Sequence, residues 1–178
     1  YDLVYNLLNP IRKKIWLVHG GNHDLKMLKF HHTDWAKGVA KRLGVKYASG
    51  LCQTRVKLFH KDKMMYTVLI NSHHGSFGGM TDGGNLNRLE RLMQGWRADI
   101  FLRAHTHALP STKKLVKTLD NDGKDVDEIV ILAVCGSFLK GHTSGYTSYA
   151  EERDYNPMRT GTVTITIDPY KKSIYAHE

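Results

Sequence analysis

Three short apolar runs in this chain each stop at a loop that carries histidine or asparagine. Ile15-Trp16-Leu17-Val18 runs into Gly20-Gly21-Asn22-His23-Asp24, Met65 to Ile70 into Ser72-His73-His74-Gly75, and Ile100-Phe101-Leu102 into His105-Thr106-His107. Apolar runs this short, bounded by turn residues, read as buried strands. In an α/β sheet, ligands bind beyond the carboxyl ends of the strands. Three such loops from neighbouring strands would converge on one crevice. Imidazole nitrogen and carboxamide oxygen both suit Zn, Mn or Fe. Taken singly the pieces are weak, since a chain with 11 histidines will produce a His-x-His or a His-His by accident. Gly-Asn-His-Asp is stronger, because asparagine is poor in a strand and good in a tight turn. All three together, each just past an apolar strand, are poorly explained by core packing.

The remaining segments agree with an α/β chain. The opening residues read as a helix that stops near Asn9-Pro10, since proline disfavours helix in the residue before it. A second helix is predicted from Thr33-Asp34-Trp35 to Leu43, with Thr33 as its cap and Gly44 as its stop. Strands are predicted at Val45 to Ala48, Gln53 to Phe59 and Met64 to Asn71, the last two joined by a turn at His60 to Lys63. A glycine-rich loop from Gly75 to Gly84 leads into a helix with Leu86, Leu89, Leu92 and Met93 on one side, closed by Gly95. Leu115 to Leu119 and Glu128 to Val134 flank Asp120-Asn121-Asp122-Gly123, a hairpin signal. Gly161 to Ile167 and Ser173 to Ala176 form a second hairpin, and residues 141–160 between the two read as a long loop. Trp16, Trp35 and Trp96 are expected as core or interface aromatics.

The 178 residues suit one domain. No apolar run approaches the roughly 20 residues needed to cross a bilayer, and the first residues lack the basic lead-in of a signal peptide, so no membrane partner is expected. Cys52 and Cys135 do not make a disulfide framework and read as small strand residues, which points to a reducing, cytoplasmic compartment. The net charge of +9 favours polyanionic partners. The basic residues are dispersed, so a solvated basic surface accounts for them equally well.

In its motifs the chain resembles the calcineurin-like metallophosphoesterases. Their signature runs Asp-x-His, Gly-Asp-x-x-Asp, Gly-Asn-His-Asp/Glu, a histidine near a glycine, and Gly-His-x-His. Gly21-Asn22-His23-Asp24 matches the third, Ser72-His73-His74-Gly75 the fourth, and Ala104-His105-Thr106-His107 the fifth, with alanine in place of glycine. The first two motifs do not occur in this sequence. The chain is therefore expected to be the carboxyl-terminal part of such a domain.

The resemblance implies a four-layer α/β/β/α sandwich of two mixed sheets, missing its first strands, and a metal-dependent phosphoester hydrolase, either a phosphomonoesterase or a phosphodiesterase. Two divalent ions (Mn, Zn or Fe) are implied as cofactors. Asn22, His74 and His105 are expected to hold one ion, with His73 as the alternative to His74, and His107 to belong to the other. His23 is expected to face the substrate and protonate the leaving oxygen, and Asp24 to orient His23. The substrate is a phosphoester, with nucleotides and nucleic acid favoured by the positive charge. With only His107 for one of the ions, the 178-residue chain is expected to hold one metal weakly and turn over little.

Outside these motifs, Arg103 is placed either to meet a phosphate or to point into solvent, and His142 in the long loop either lines the cleft or is structural. His19 is expected to be packed, and His31-His32 to be a surface turn. The competing reading is a non-catalytic nucleic-acid- or protein-binding module built on the same fold. A structural zinc protein fits least, because such sites use closely spaced thiolates.

Overall fold

A computed structural model describes residues 2–76, 81–120, 122–139, 141, 144–145, 147–148, 151–153 and 159–177. The chain is mixed α/β and falls into two compact units, one of residues 1–52 with 73–76, the other of residues 53–72 with 77–178.

The first unit contains α1 (Asp2–Leu8), a 3-10 run (Asn9–Lys14), β1 (Leu17–His19), α2 (Asn22–His31), α3 (Trp35–Leu43) and β2 (Lys46–Ala48). β1 and β2 are parallel, with Leu17 opposite Lys46, Val18 opposite Tyr47 and His19 opposite Ala48. A parallel pair needs a crossover between its strands, and α2 and α3 supply it. α3 buries Val39, Ala40 and Leu43, and Gly44, at φ 71, ends it in the left-handed conformation that glycine tolerates best. Its cap is Asp34 rather than the expected Thr33: the Asp34 carboxylate accepts from the Lys37 N–H at 2.9 Å, whereas the Thr33 hydroxyl donates back to the His31 carbonyl. The expected loop at Gly20 to Asp24 is shorter than predicted, because α2 begins at Asn22. β1 begins at Leu17, and Trp16 lies outside it.

The second unit is organised on a five-stranded sheet of β3 (Cys52–His60), β4 (Lys63–His73), β5 (Ile100–Arg103), β6 (Ser111–Leu119) and β7 (Asp125–Val134). The strand order is β3-β4-β5-β7-β6. β5 runs parallel to β7, and β6 pairs antiparallel with β7 from Ser111↔Ala133 to Leu119↔Asp125. α4 (Asp82–Met93) covers one face. The antiparallel hairpin of β8 (Thr164–Asp168) and β9 (Ser173–His177) packs on the other.

The second half of β7, Val130 to Val134, shows why its sequence is a continuous apolar run. Strand side chains alternate in direction, and here both directions are buried, as in central parallel strands. Val130, Leu132 and Val134 join Phe101 and Leu89 on the α4 side, with Leu86, Leu92 and Met93 packed against them. Ile131 and Ala133 join Val68, Ile100 and Ile174 on the hairpin side. The three tryptophans take no part in this core: Trp16 is 58%, Trp35 39% and Trp96 44% exposed. Among the described residues, no helix is long and apolar enough to cross a membrane.

Candidate metal centre

In the first unit the Asn22 carboxamide and the His74 ring, 52 residues apart in the chain, meet: Asn22 Oδ1 lies 3.0 Å from His74 Nε2, and both groups are partly buried. Several local features place them. Gly20 continues the strand ladder by donating to the Ala48 carbonyl at 2.9 Å. Gly21, in extended backbone, is the N-cap of α2, so Asn22 stands at the first helical position, directly beyond the end of β1. Asp24 Oδ2 accepts from the Gly21 N–H at 2.8 Å, which satisfies one of the donors that a helix start leaves orphaned.

Both glycines are required by close approach. A Cβ on Gly21 would stand 2.9 Å from His74 Cε1 and 3.1 Å from its Nε2. A Cβ on Gly20 would collide with the Tyr47 hydroxyl. That hydroxyl donates to Asp34 Oδ2 at 2.6 Å. Burial, followed by the Asp34 carboxylate, pushes the Tyr47 phenol well above its ordinary value of 10.0, so it stays protonated and keeps donating. A single carboxylate thus caps α3 and anchors the tyrosine that lies against the Gly20-Gly21 turn.

Of the histidine pair, His74 reaches Asn22, while His73 is the last residue of β4 and lies close enough to His19 to repel its charged form. Burial first, and then His73, lowers the His19 pKa below 6.5. His23 is exposed in the first turn of α2, and His31 and His32 are exposed at its end.

The other two predicted ligands belong to the second unit. His105 and His107 lie in the loop after β5, both partly buried and both in left-handed backbone, at φ 78 and φ 59. The Thr106 N–H donates to the Ala104 carbonyl at 3.0 Å, which makes His105 the centre of a γ-turn in its rarer, positive-φ form. Strained backbone of this kind costs of order 1–3 kcal/mol per residue and gathers at functional sites.

The same end of the sheet holds polar groups that sequence reasoning missed or left open. Arg103 does not point into solvent; it is 8% exposed. Alternation along β5 puts it on the face of Phe101, under α4, which also carries the buried Asn85. Burial, and then the charge of Arg88, lowers its pKa. Asn71, two residues beyond Leu69 on β4, shares that face and is 1% exposed. Arg103 Nε and both amide atoms of Asn71 are buried with no hydrogen-bond partner among the described residues, although native interiors pair nearly all such groups. Asn71 lies near the end of an apolar run visible in the sequence, but nothing there marks it as buried or unpaired. His142 lies outside the described residues, as do residues 77–80 of the glycine-rich loop.

Among the described residues, no three His, Cys, Asp or Glu side chains gather as a metal cluster. Cys52 and Cys135 form no disulfide with each other. Comparison with family models, curated proteins and solved structures finds no match for this chain.

Proposed function

We propose that this chain contributes ligands and a proton donor to a dinuclear metal centre that hydrolyses phosphoesters, within a metallophosphoesterase-like α/β/β/α sandwich. The observation that carries the reading is the 3.0 Å approach of Asn22 Oδ1 to His74 Nε2. Two atoms at right angles on an octahedral ion, each at about 2.1 Å, are separated by about 3 Å, so this pair fits adjacent positions of such an ion. Nitrogen and neutral oxygen donors suit Mn, Zn or Fe.

In this reading Asn22 and His74 are ligands of one ion, and His105 and His107 are further candidate ligands. Two bound cations would neutralise the phosphoester's charge and supply a hydroxide near neutral pH. The chain's own residues do the rest. His23, exposed in the first turn of α2, gives its proton to the leaving oxygen. Asp24 has one oxygen committed to the Gly21 N–H and steadies His23 through the other. The amino end of α2 favours a substrate anion at the same place. The net charge of +9 supports a nucleotide or nucleic-acid substrate, because long-range attraction raises encounter with polyanions.

Titration calorimetry with Mn and Zn tests the reading. The chain should bind one divalent ion, and Asn22→Ala or His74→Ala should each weaken it by about tenfold or more, as lost ligation does. Unchanged affinity in both variants would remove Asn22 and His74 from any metal site.

A further inference from the structure

The amino end of β5, opposite the end that leads to His105, borders a cavity of about 580 Å³ enclosed wholly by the second unit. Four cations line it: Arg55, Arg97, Lys113 and Lys172. They come from β3, the segment before β5, β6 and the turn before β9, so the fold has assembled them from four separate stretches. A run of surface charge in the sequence would not do this. Among the described residues two carboxylates line the cavity with them, Asp99 and Glu128, and both are engaged. Asp99 Oδ2 accepts from the Leu69 N–H at 2.6 Å, and Glu128 stands 3.6 Å from Arg97. Among the described residues, Arg55 and Lys172 have no carboxylate partner.

Cations gathered in a concavity with low-dielectric walls focus a positive potential and repel one another until an anion arrives. Arginine and lysine are the side chains that hold phosphate, arginine through a planar fork. The remaining lining includes aromatic and aliphatic side chains. Tyr175 is 40% and Ile129 44% exposed, and Tyr66 stands beside them. Lys113 Nζ already lies 4.8 Å from the centre of the Tyr175 ring, so a cation and an aromatic surface are presented together. The volume falls in the range of small-molecule sites, roughly 300–1,000 Å³.

We propose that this cavity binds a mononucleotide, with its phosphate on Arg55 and Lys172 and its base against Tyr175 and Ile129. Within the second unit the cavity is set apart from the loop of His105. The four residues of β5 stand between it and the loop of His105, about 13 Å along the strand. It contains none of the proposed metal ligands, and it stands or falls without them.

The test is calorimetry on the full chain in excess chelator, with adenosine monophosphate, adenosine and inorganic phosphate as separate probes. Adenosine monophosphate should bind, and adenosine and phosphate should each bind about tenfold or more weakly, because each forfeits one of the two contacts. Arg55→Ala combined with Lys172→Ala should weaken the nucleotide about tenfold or more, the loss expected for charge-assisted bonds. Both side chains are exposed, so the variant should retain the wild-type circular dichroism spectrum and melting curve. Adding Mn in place of the chelator should leave nucleotide affinity unchanged. The proposal is overturned if the folded double variant gives the wild-type isotherm, if inorganic phosphate binds as tightly as the nucleotide, if binding requires the metal, or if the wild-type chain shows no nucleotide binding.

Discussion

Replacing Gly21 by alanine would drive a methyl group against the His74 ring. The Cβ would sit 2.9 Å from Cε1, whereas carbon atoms rest at about 3.5 Å or more, so the ring must withdraw by about 0.6 Å. If it withdraws from Asn22, the 3.0 Å approach opens to about 3.6 Å, beyond hydrogen-bond reach. The backbone itself imposes little cost, because φ −104 and ψ 178 suit alanine. The weaker capping by alanine and the gain of about 0.4–1 kcal/mol from a less flexible unfolded chain nearly cancel. What remains is overpacking of about 1–3 kcal/mol, including the lost hydrogen bond of about 0.5–1.5 kcal/mol. Urea denaturation measures it, with Gly50→Ala as control, since nothing lies within 4 Å of a Cβ there. Gly21→Ala should be less stable than the control by that amount, and should bind Mn more weakly. Equal stability of the two variants would show that the glycine is not holding the histidine in place, and the positioning argument would fail.

Asn71→Leu should stabilise the chain by about 1 kcal/mol, since it removes a buried amide that has no partner among the described residues and so carries its full desolvation penalty; a lower urea midpoint would contradict this. Burial raises the Cys135 thiol to about 11, so in the native chain at pH 8 it should alkylate about 200-fold more slowly than a free thiol, which mass spectrometry of iodoacetamide-treated protein reads directly. His19 contributes to acid sensitivity with a definite sign. Its folded pKa lies below 6.5, so the folded state disfavours the proton; no stability is lost above pH 6.5, and the loss grows as pH falls from there toward the folded value. The urea midpoint of His19→Asn should therefore fall less between pH 7 and about pH 5 than that of the wild type, and equal slopes would contradict the assignment.

The sheet of the second unit was readable because burial and sequence pattern coincide: the second half of β7 is apolar on both faces, and α4 carries Leu86, Leu89, Leu92 and Met93 at helical spacing. β6 begins at Ser111 and β7 at Asp125, both earlier than their apolar residues suggest, because an antiparallel ladder continues for as long as backbone partners face one another. α2 was not legible. Its first residues are Asn-His-Asp, which favour turns, and no residue of it is buried, so no apolar stripe announces a helix. Of the three predicted histidine loops, that of His105-Thr106-His107 lies beyond its strand as expected, whereas β4 runs through His73 and Asn22 to Asp24 open α2. The contact of Asn22 with His74 was not legible, because it depends on two glycines whose missing side chains let the ring approach. Arg103 was ambiguous for a related reason: its face is set by the alternation of β5, and β5 is only four residues long.

On the proposed function, the bend after β5 sets metal ligation and durability against each other. His105 and His107 occupy φ 78 and φ 59, where a glycine would sit without strain. A library of this chain screened only for survival after heating should therefore lose these two imidazoles early, gaining a degree or more of melting temperature from each exchange. A screen that also demands metal retention should keep them, and the difference between the two outcomes would measure what the loop gives up in stability to remain a ligand.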